Sequence, residues 1–323
     1  MSLALRDRWK SREGQALAAE AVGYLLGSTK ALPQGFGFHE GRIDLRGLEV
    51  SSPVIGGTVS AGGTTFKSLS GVVEVRDAEW NGLDLSQARL GSFKLFDSEI
   101  SNCWFDQAYC RGWRLWDSRV GHSSFGAADL RDAAIGTGTR AGSVAWRDVS
   151  FDLADMRGVL AKGALIERCT FRGSKLSNSE FLQSTLRDCV FAGTLRDVLF
   201  DCREVDSRPT PGVLVNLDFS QSTFEDVEFR GAHFEGLKLP SVAGIYVIPA
   251  FPQVARRALE LLDGNTSMGA RMLRAQFANS LKLPGSADSV DIFNRRDYLA
   301  SGGESLADLA ETVFMEAIAD VTP

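Results

Sequence analysis

A five-residue spacing of apolar residues is the feature that most constrains the fold of this chain. With 44% of its 323 residues hydrophobic, thirteen such positions in a row are not expected by chance. A helix repeats every 3.6 residues and a strand every 2, so a period of five predicts a chain that turns a corner after each short extended piece. Such a chain is a solenoid. The thirteen positions are Val75, Trp80, Leu85, Leu90, Leu95, Ile100, Phe105, Cys110, Leu115, Val120, Phe125, Leu130 and Ile135.

The same spacing returns in two later runs with a shifted phase. The position two before each central residue is mostly Ala, Ser or Cys. Alternating large and small residues predict a narrow, closely packed interior. The second run is Trp146, Phe151, Met156, Ala161, Ile166, Phe171, Leu176, Phe181, Leu186 and Phe191, and the third is Leu214, Phe219, Phe224, Phe229, Phe234 and Leu239.

Several of these five-residue units share one residue pattern. Residues 128–132 read Ala-Asp-Leu-Arg-Asp, residues 154–158 read Ala-Asp-Met-Arg-Gly, and residues 232–236 follow more loosely. They resemble the pentapeptide-repeat family, whose repeat is a small residue, Asp or Asn, Leu or Phe, and two variable positions. The resemblance covers roughly residues 40 to 240. It implies a mainly β fold, a right-handed quadrilateral β-helix solenoid with four pentapeptides per coil, and hence about ten coils.

Helical spacing on both sides of the repeats predicts three parts: an N-terminal helical cap (1–34), the β-helix (35–245) and a C-terminal helical domain (246–323). The N-terminal helix, with a joint at Gly14 and a stop at Gly27, would cover the exposed backbone groups and apolar floor of the first coil. A partner-binding helix is the alternative.

After Leu239 the spacing predicts helices over 252–262 and 265–283, and Ser305 with Asp308 resembles a capping box that opens a third. These helices should cap the other end of the β-helix. A surplus apolar face on these helices would allow the chain to form a homodimer. The resemblance implies the same, because the C-terminal ends of pentapeptide-repeat proteins often dimerise.

Three interruptions break the repeat. Coils between Gly56 and Ser70 should be distorted, and the eleven residues from Ile135 to Trp146 predict a bulge or a small loop. Residues 203–212, with two prolines and charged neighbours, predict a loop that leaves the β-helix and carries Arg203, Asp206 and Arg208 as candidate contact residues. Such loops can matter in relatives that protect topoisomerases, and a tolerated surface insertion is the alternative.

The composition limits which cellular compartment and which class of ligand we expect for this chain. The five cysteines fall mostly on core positions without metal-ligand spacing, which predicts a reducing, cytoplasmic environment, and no membrane span is evident. A functional pair of Cys169 and Cys189 is the alternative to a purely core role. The net charge of −6 gives no electrostatic case for direct nucleic-acid binding.

The sequence predicts no catalysis, cofactor or metal site. His39, His122 and His233 are far apart in the array, and the repeat scatters carboxylates over the outer faces. The ordinary interpretation of such charges is a solvated surface.

Large outward aromatics are the strongest surface signal. Phe96 and Trp116 follow central positions one predicted coil apart, and Trp104 and Tyr109 also project outward. Such rings indicate a contact with a protein partner or with the chain's own terminal helices, or they are scattered surface aromatics. Phe93 and Trp113 stand where a small residue is normal, so this side should be widened or its rings turned outward.

Two functions fit these observations. The first is a non-catalytic protein-interaction scaffold. The second, implied by the resemblance, is a DNA mimic that binds and protects a type II topoisomerase such as DNA gyrase. Mimicry needs continuous acidic rows, whereas Arg111, Arg131 and Arg157 are interleaved with the acids, so the scaffold leads.

Overall fold

The backbone winds into a four-sided parallel β-helix. The computed structural model describes residues 3–29, 35–50, 58–61, 64–67, 72–136, 144–204, 212–282 and 288–322. Strands on neighbouring coils pair in parallel at twenty-residue spacing, as where Arg114 lies opposite Lys94 and Leu115 opposite Leu95. The predicted four pentapeptides per coil are therefore confirmed.

Two of the four faces are continuous parallel sheets. The first face consists of Val73–Arg76, Phe93–Phe96, Arg114–Trp116, Ala134–Gly136, Leu160–Lys162, Glu180–Leu182 and the final residues of two long strands, Val190–Asp201 and Asp218–Arg230. The second face consists of Glu79–Asn81, Glu99–Ser101, Arg119–Gly121, Ala145–Arg147, Leu165–Glu167, Thr185–Arg187, Val213–Val215 and Phe234–Glu235.

The third and fourth faces are held largely by single bridges. On the third face, Arg42–Asp44 pairs with Leu83–Asp84, and bridges then join Asp84, Trp104, Ser124, Ser150 and Thr170 in turn, the last belonging to Thr170–Arg172. On the fourth, bridges join Glu49, Arg89, Tyr109, Asp129, Asp155 and Lys175. The two long strands run through the third, fourth and first faces without a break.

The corners of the coil require left-handed backbone. The residue two after the central position has positive φ at Asp77 (51°), Asp97 (50°), Asn102 (53°) and Asp117 (47°), and the pattern recurs along the array. Asp and Asn tolerate this conformation better than most residues, which accounts for their frequency at these positions. Leu153, with a φ of 63°, also lies at a corner, although leucine disfavours the left-handed conformation.

Stacked phenylalanines fill the interior. Phe151, Phe171 and Phe191 lie one above another, with ring centroids 5.1 and 4.6 Å apart. The small residues between them satisfy the backbone, since the Ser174 hydroxyl donates to the Phe151 carbonyl at 2.7 Å. The core is thus a set of side-chain ladders that repeat with the coil.

Phe93 and Trp113 turn inward rather than outward. Both rings are fully buried, and the Trp113 indole N–H donates to the Leu90 carbonyl. The Trp113 ring packs edge-on against Phe105 and Phe125, with centroids 5.5 and 6.0 Å away. Of the two predicted alternatives, a widened side or rings turned outward, burial of both rings excludes the second.

All five cysteines are free and buried. Burial raises the pKa of the Cys110 thiol well above its usual value. Burial also raises the pKa of the Cys169 thiol, which lies against Cys189 of the next coil.

Among the described residues the second face has eight strands, fewer than the ten coils predicted, because extra residues separate the paired positions in three places. Ile43 pairs with Leu83 rather than with a residue twenty positions away. The intervening chain includes an antiparallel hairpin of Thr58–Ala61 with Thr64–Lys67, so the expected distorted coil is instead an insertion. A second insertion precedes Trp146, which pairs with Val120. A third precedes Leu214, which pairs with Leu186.

Two N-terminal helices pack on the first coil. Helix α1 (Leu3–Asp7) passes through a 3-10 turn (Arg8–Lys10) to helix α2 (Arg12–Leu25). The joint lies at Ser11, whose side chain caps α2, and not at Gly14 as predicted. Gly14 is buried beside the 3-10 turn, where a Cβ would meet the Arg8 carbonyl oxygen at 2.0 Å. The expected stop at Gly27 is confirmed by its positive φ of 73°.

The C-terminal helices form a second core. They are α3 (Phe251–Leu261), α4 (Met268–Ser280) and α5 (Arg295–Val321), with an antiparallel pair, Ile245–Ile248 and Asp291–Asn294. A kink at Gly302 and Gly303 divides α5. The kink ends one helix and begins another close to Ser305, where the sequence predicted a helix start, whereas Asp308 pairs with Arg295 instead of capping that helix. Phe38–His39 also pairs with Arg42–Asp44 as a short antiparallel ribbon.

None of the helices in the described part of the chain is long and apolar enough to cross a lipid bilayer.

Candidate interaction surfaces

Phe96 and Trp116 form a stacked pair on the outside of the first face. Their ring centroids are 4.5 Å apart and the rings are 8° from parallel. Their backbones lie opposite each other in the sheet. The guanidinium of Arg76, one coil earlier, lies 4.2 Å from the Phe96 ring centroid. Arg76, Phe96 and Trp116 therefore form a continuous outer row, called the aromatic row below, and both rings are half-buried.

Trp104 and Tyr109 lie elsewhere. Trp104 is on the third face, where the Arg42 guanidinium lies 3.8 Å from its ring centroid. Tyr109 is on the fourth face, with the Arg89 guanidinium 5.2 Å from its ring centroid. The four aromatic candidates are thus divided among three faces, so only Phe96 and Trp116 act together.

The terminal helices attach at the two ends of the β-helix. Helix α2 accepts the Trp80 indole N–H at the Leu25 carbonyl, and its Tyr24 hydroxyl donates to the Glu79 carbonyl at 2.8 Å. At the other end, the Asn294 side chain donates to the Phe224 carbonyl at 3.1 Å. These attachment points lie on the first and last coils.

Of the predicted loop at residues 203–212, the structure describes Arg203, Glu204 and Gly212. The Arg203 side chain is 13% exposed and forms an ion pair with Asp201 at 2.5 Å. Asp206 and Arg208 lie outside the described residues. Arg203 is therefore committed to a largely buried ion pair, a role that its charged sequence context did not indicate.

Ion pairs neutralise the carboxylates of the fourth face. Asp129 pairs with Arg131 at 2.6 Å, and Asp155 pairs with Arg157 at 2.7 Å. The hydrogen bond from Arg131 lowers the pKa of Asp129, so this carboxylate stays ionised. One coil later the same arrangement recurs, which makes the face a ladder of alternating charge.

A buried carboxylate near the first coil was missed by sequence reasoning. Asp84 is fully buried, and its Oδ2 lies 2.7 Å from His39 Nδ1. The Ser86 backbone N–H also donates to Asp84. His39 and Asp84 are forty-five residues apart across the insertion, so no repeat spacing connects them. Among the described residues, no group of three or more His, Cys, Asp and Glu side chains is arranged to hold a metal ion.

A cleft of about 1060 Å³ separates the last coil from the C-terminal helices. Residues 226–231 form one wall, and α4, α5 and the strand Asp291–Asn294 form the other. No sequence pattern predicted this cleft, because it arises from packing between non-repetitive helices and the end of the repeat array.

Comparison with solved structures finds similar pentapeptide-repeat proteins. A trypsin-treated form of QnrB1, described as a plasmid-mediated fluoroquinolone resistance protein, is 16% identical over 52% of this chain and 83% of that chain, with a TM-score of 0.21. Rfr23 from the cyanobacterium Cyanothece 51142 is 11% identical over 50% of this chain and 91% of that chain, with a TM-score of 0.22. A pentapeptide repeat protein from the Arabidopsis thaliana thylakoid lumen is 23% identical over 35% and 67%, with a TM-score of 0.18.

At these TM-scores the overlays carry no argument about function. A search of the curated proteins finds no match to this chain. The family model for pentapeptide repeats matches residues 154–193 in eight copies. The parallel register of these copies continues on both sides, with Asp129 bridged to Asp155 and Val190 paired with Asp218. Residues 154–193 are therefore pentapeptide repeats, and they lie within a β-helix that continues on both sides of them.

Proposed function

We propose that this chain is a non-catalytic protein-interaction scaffold and that the aromatic row contacts its partner. The stacked pair of Phe96 and Trp116 on the outside of the first face is the observation that carries the proposal. Aromatic and arginine side chains are enriched where protein surfaces bind each other. A row of Arg76, Phe96 and Trp116 supplies both types.

The β-helix holds this row in a fixed geometry. Each ring leaves a strand whose backbone is paired to the next coil, and each ring is also supported by its neighbour. Because little side-chain freedom remains to be lost, association costs less conformational entropy. The β-helix of residues 35–245 is accordingly the part to which we assign the scaffold.

Protection of a type II topoisomerase is the second candidate. QnrB1 is described as a fluoroquinolone resistance protein, and this chain shares its repeat family. Imitation of a DNA duplex requires dense negative charge along the rod. Pairing of Asp129 and Asp155 with arginines weakens that charge on the fourth face, which favours the scaffold.

A homodimer through the C-terminal helices and a cytoplasmic location belong to the same proposal. Met268 and Met315 are exposed on α4 and α5 (71% and 54%), so these helices keep apolar surface available for a second copy. Five free, buried cysteines suit a reducing compartment. Light scattering after size-exclusion chromatography of wild type and Met315→Lys tests the dimer, which the variant should dissociate.

Affinity capture followed by reconstitution tests the scaffold. The bait is wild type, the double variant Phe96→Ser with Trp116→Ser, or the control Trp104→Ser, which removes an aromatic residue from the third face. We expect a protein that binds wild type and the control but not the double variant, and that binds again when purified. Equal binding of that protein to all three baits would refute a role for the row.

A gyrase supercoiling assay separates the two candidates. Wild-type protein is titrated into gyrase with and without a quinolone. The scaffold proposal expects unchanged supercoiling and no relief of quinolone inhibition. Relief by wild type would make topoisomerase protection the leading function.

A further inference from the structure

The cleft between the last coil and the C-terminal helices has apolar walls. Phe229 of the last coil faces Phe251 of α3, Met272 and Leu273 of α4, and Phe314 of α5 across a space of about 1060 Å³. This is the size of a site for a small molecule or for a few side chains. Its position at the end of the rod separates it from the aromatic row.

The charged groups that line the cleft are four carboxylates, Asp226, Glu228, Asp291 and Asp297, and three cations, Arg203, Arg230 and Lys282. Asp291 lies on the strand Asp291–Asn294, and Asp297 and Tyr298 lie on the first turn of α5. The Tyr298 hydroxyl oxygen accepts a hydrogen bond from Gln276 of α4 at 3.0 Å, which leaves its second lone pair to accept from a ligand. Acceptors and carboxylates therefore converge from two elements.

Neither carboxylate forms a direct ion pair within the described ranges, although Arg230 lies near Asp291 and Arg296 lies near Asp297. Asp291 accepts the backbone N–H of Ile292 at 2.8 Å, and Asp297 accepts that of Asp226 at 3.1 Å. Among these residues, no Lys or Arg forms an ion pair with either. Desolvation by burial raises the pKa of Asp291 to about 7, and burial also raises that of Asp297.

The arginines that line the cleft already have partners. Arg230 forms an ion pair with Glu228, and Arg203 forms one with Asp201. Lys282 donates to the Asn279 side chain at 3.1 Å. Because Arg230 is shared with Glu228, it compensates the partly buried Asp291 only in part, and a bound cation would supply the remaining counter-charge.

We propose that this cleft binds an organic cation, an ammonium or guanidinium group carried on an apolar stem. The charged group would lie against Asp291 and Asp297, and the stem would lie between Phe229, Met272 and Phe251. An anion would meet these carboxylates and Glu228 unfavourably, and a neutral ligand would leave them without the remaining counter-charge. The site goes beyond the scaffold proposal and does not depend on it.

Such a cation has two sources, a basic side chain of a polypeptide and a free polyamine. Calorimetric titration of the full chain with three probes distinguishes them. The first is a capped pentapeptide with one central arginine flanked by leucines, the second is the same peptide with citrulline in place of arginine, and the third is spermidine. Citrulline preserves shape and removes charge, so it isolates recognition of the cation.

We expect the arginine peptide or spermidine to bind with a dissociation constant below about 1 mM, and the citrulline peptide to bind at least about tenfold more weakly than its arginine counterpart. Tighter binding of the arginine peptide identifies a polypeptide source, and tighter binding of spermidine identifies a polyamine. Failure of both cations to bind, or equal binding of the two peptides without binding of spermidine, overturns the proposal.

Matched variants test whether the measured binding takes place in the cleft. Asp291→Asn keeps the size of the side chain and should weaken binding of the cation at least about tenfold. Glu316→Gln removes an exposed carboxylate elsewhere on α5 and should leave binding unchanged. Circular dichroism confirms that each variant is folded, and Asp297→Asn provides a second variant if Asp291→Asn is not. Binding that neither cleft substitution weakens would overturn the assignment.

Discussion

The ring of Phe96 lies flat against the ring of Trp116, twenty residues later, with centroids 4.5 Å apart. Inside the β-helix the same step places Phe105 against Phe125 at 4.6 Å. Both pairs follow from parallel pairing of successive coils, and they differ in whether the side chain occupies the central position or the position after it. One backbone repeat thus builds both the core and the outer row.

A double-mutant cycle on Phe96→Ala and Trp116→Ala should show a coupling free energy of about 0.5–1.5 kcal/mol, because stacked rings interact beyond the area they bury. Urea unfolding followed by circular dichroism gives the four free energies. The control cycle pairs Phe96→Ala with Tyr109→Ala on another face, and these should be additive within about 0.5 kcal/mol. Equal coupling free energies in the two cycles would show that contact between the Phe96 and Trp116 rings contributes no coupling of its own.

Phe181→Asp should destabilise the array severely. The Phe181 side chain is buried and stacks on Phe200 at 5.0 Å, so the change removes about 1.5–3 kcal/mol of burial and adds an unpaired buried charge. Its neighbour provides the control, since Leu182 faces outward from the same strand. Leu182→Asp should shift the melting temperature far less, and similar losses in the two variants would contradict the inward assignment of Phe181.

The repeat was predictable because it is a local pattern. Leu95 and Leu115 occupy the same place in successive pentapeptides, so spacing alone gives their register. The number of coils was not predictable, since an insertion before Leu83 leaves no mark on the phase of the later repeats. The sequence left open whether Phe93 and Trp113 point inward or outward, because the family pattern expects small residues there, and the structure buries both rings.

Sequence reasoning found part of the candidate surface and none of the cleft. Phe96 and Trp116 were placed together because coil spacing is regular. The cleft depends on how α4 and α5 pack against the last coil, and no periodicity links Asp291 to Phe229. Helical spacing placed a helix start near Ser305, just after the kink at Gly302 and Gly303, but it did not show the preceding turns that begin at Arg295.

Leu153→Asn should stabilise the protein by about 0.5–1 kcal/mol, since a left-handed backbone disfavours leucine and favours asparagine. Leu153 has φ 63° and is 67% exposed, so little burial is lost. Asn178, at φ 58°, occupies an equivalent exposed corner, and Asn178→Leu should be destabilising by a similar amount. Thermal melts of both variants measure the effect. Shifts of the same sign would argue against corner strain as its cause.

Asp291→Asn should stabilise the protein at pH 8 and have little effect near pH 4. Burial raises the pKa of Asp291 to about 7 from an unfolded value of about 3.9, so the folded state binds this proton more tightly. The resulting stability is complete below about pH 4 and is lost as pH rises through about 7. Asparagine is neutral throughout and avoids that loss.

Melting curves at pH 4 and pH 8 provide the test. Each kcal/mol of stabilisation should raise the melting temperature by about 2–4 °C. Glu228 and Arg230 of the last coil, and Tyr298 of α5, also face Asp291, so the comparison is with Glu316→Gln, which lacks these neighbours. The difference in melting temperature between Asp291→Asn and wild type should grow with pH, whereas the difference between Glu316→Gln and wild type should stay nearly constant. A difference that is independent of pH would mean that Asp291 is ionised throughout, and its carboxylate would then need a counter-charge already present in the fold.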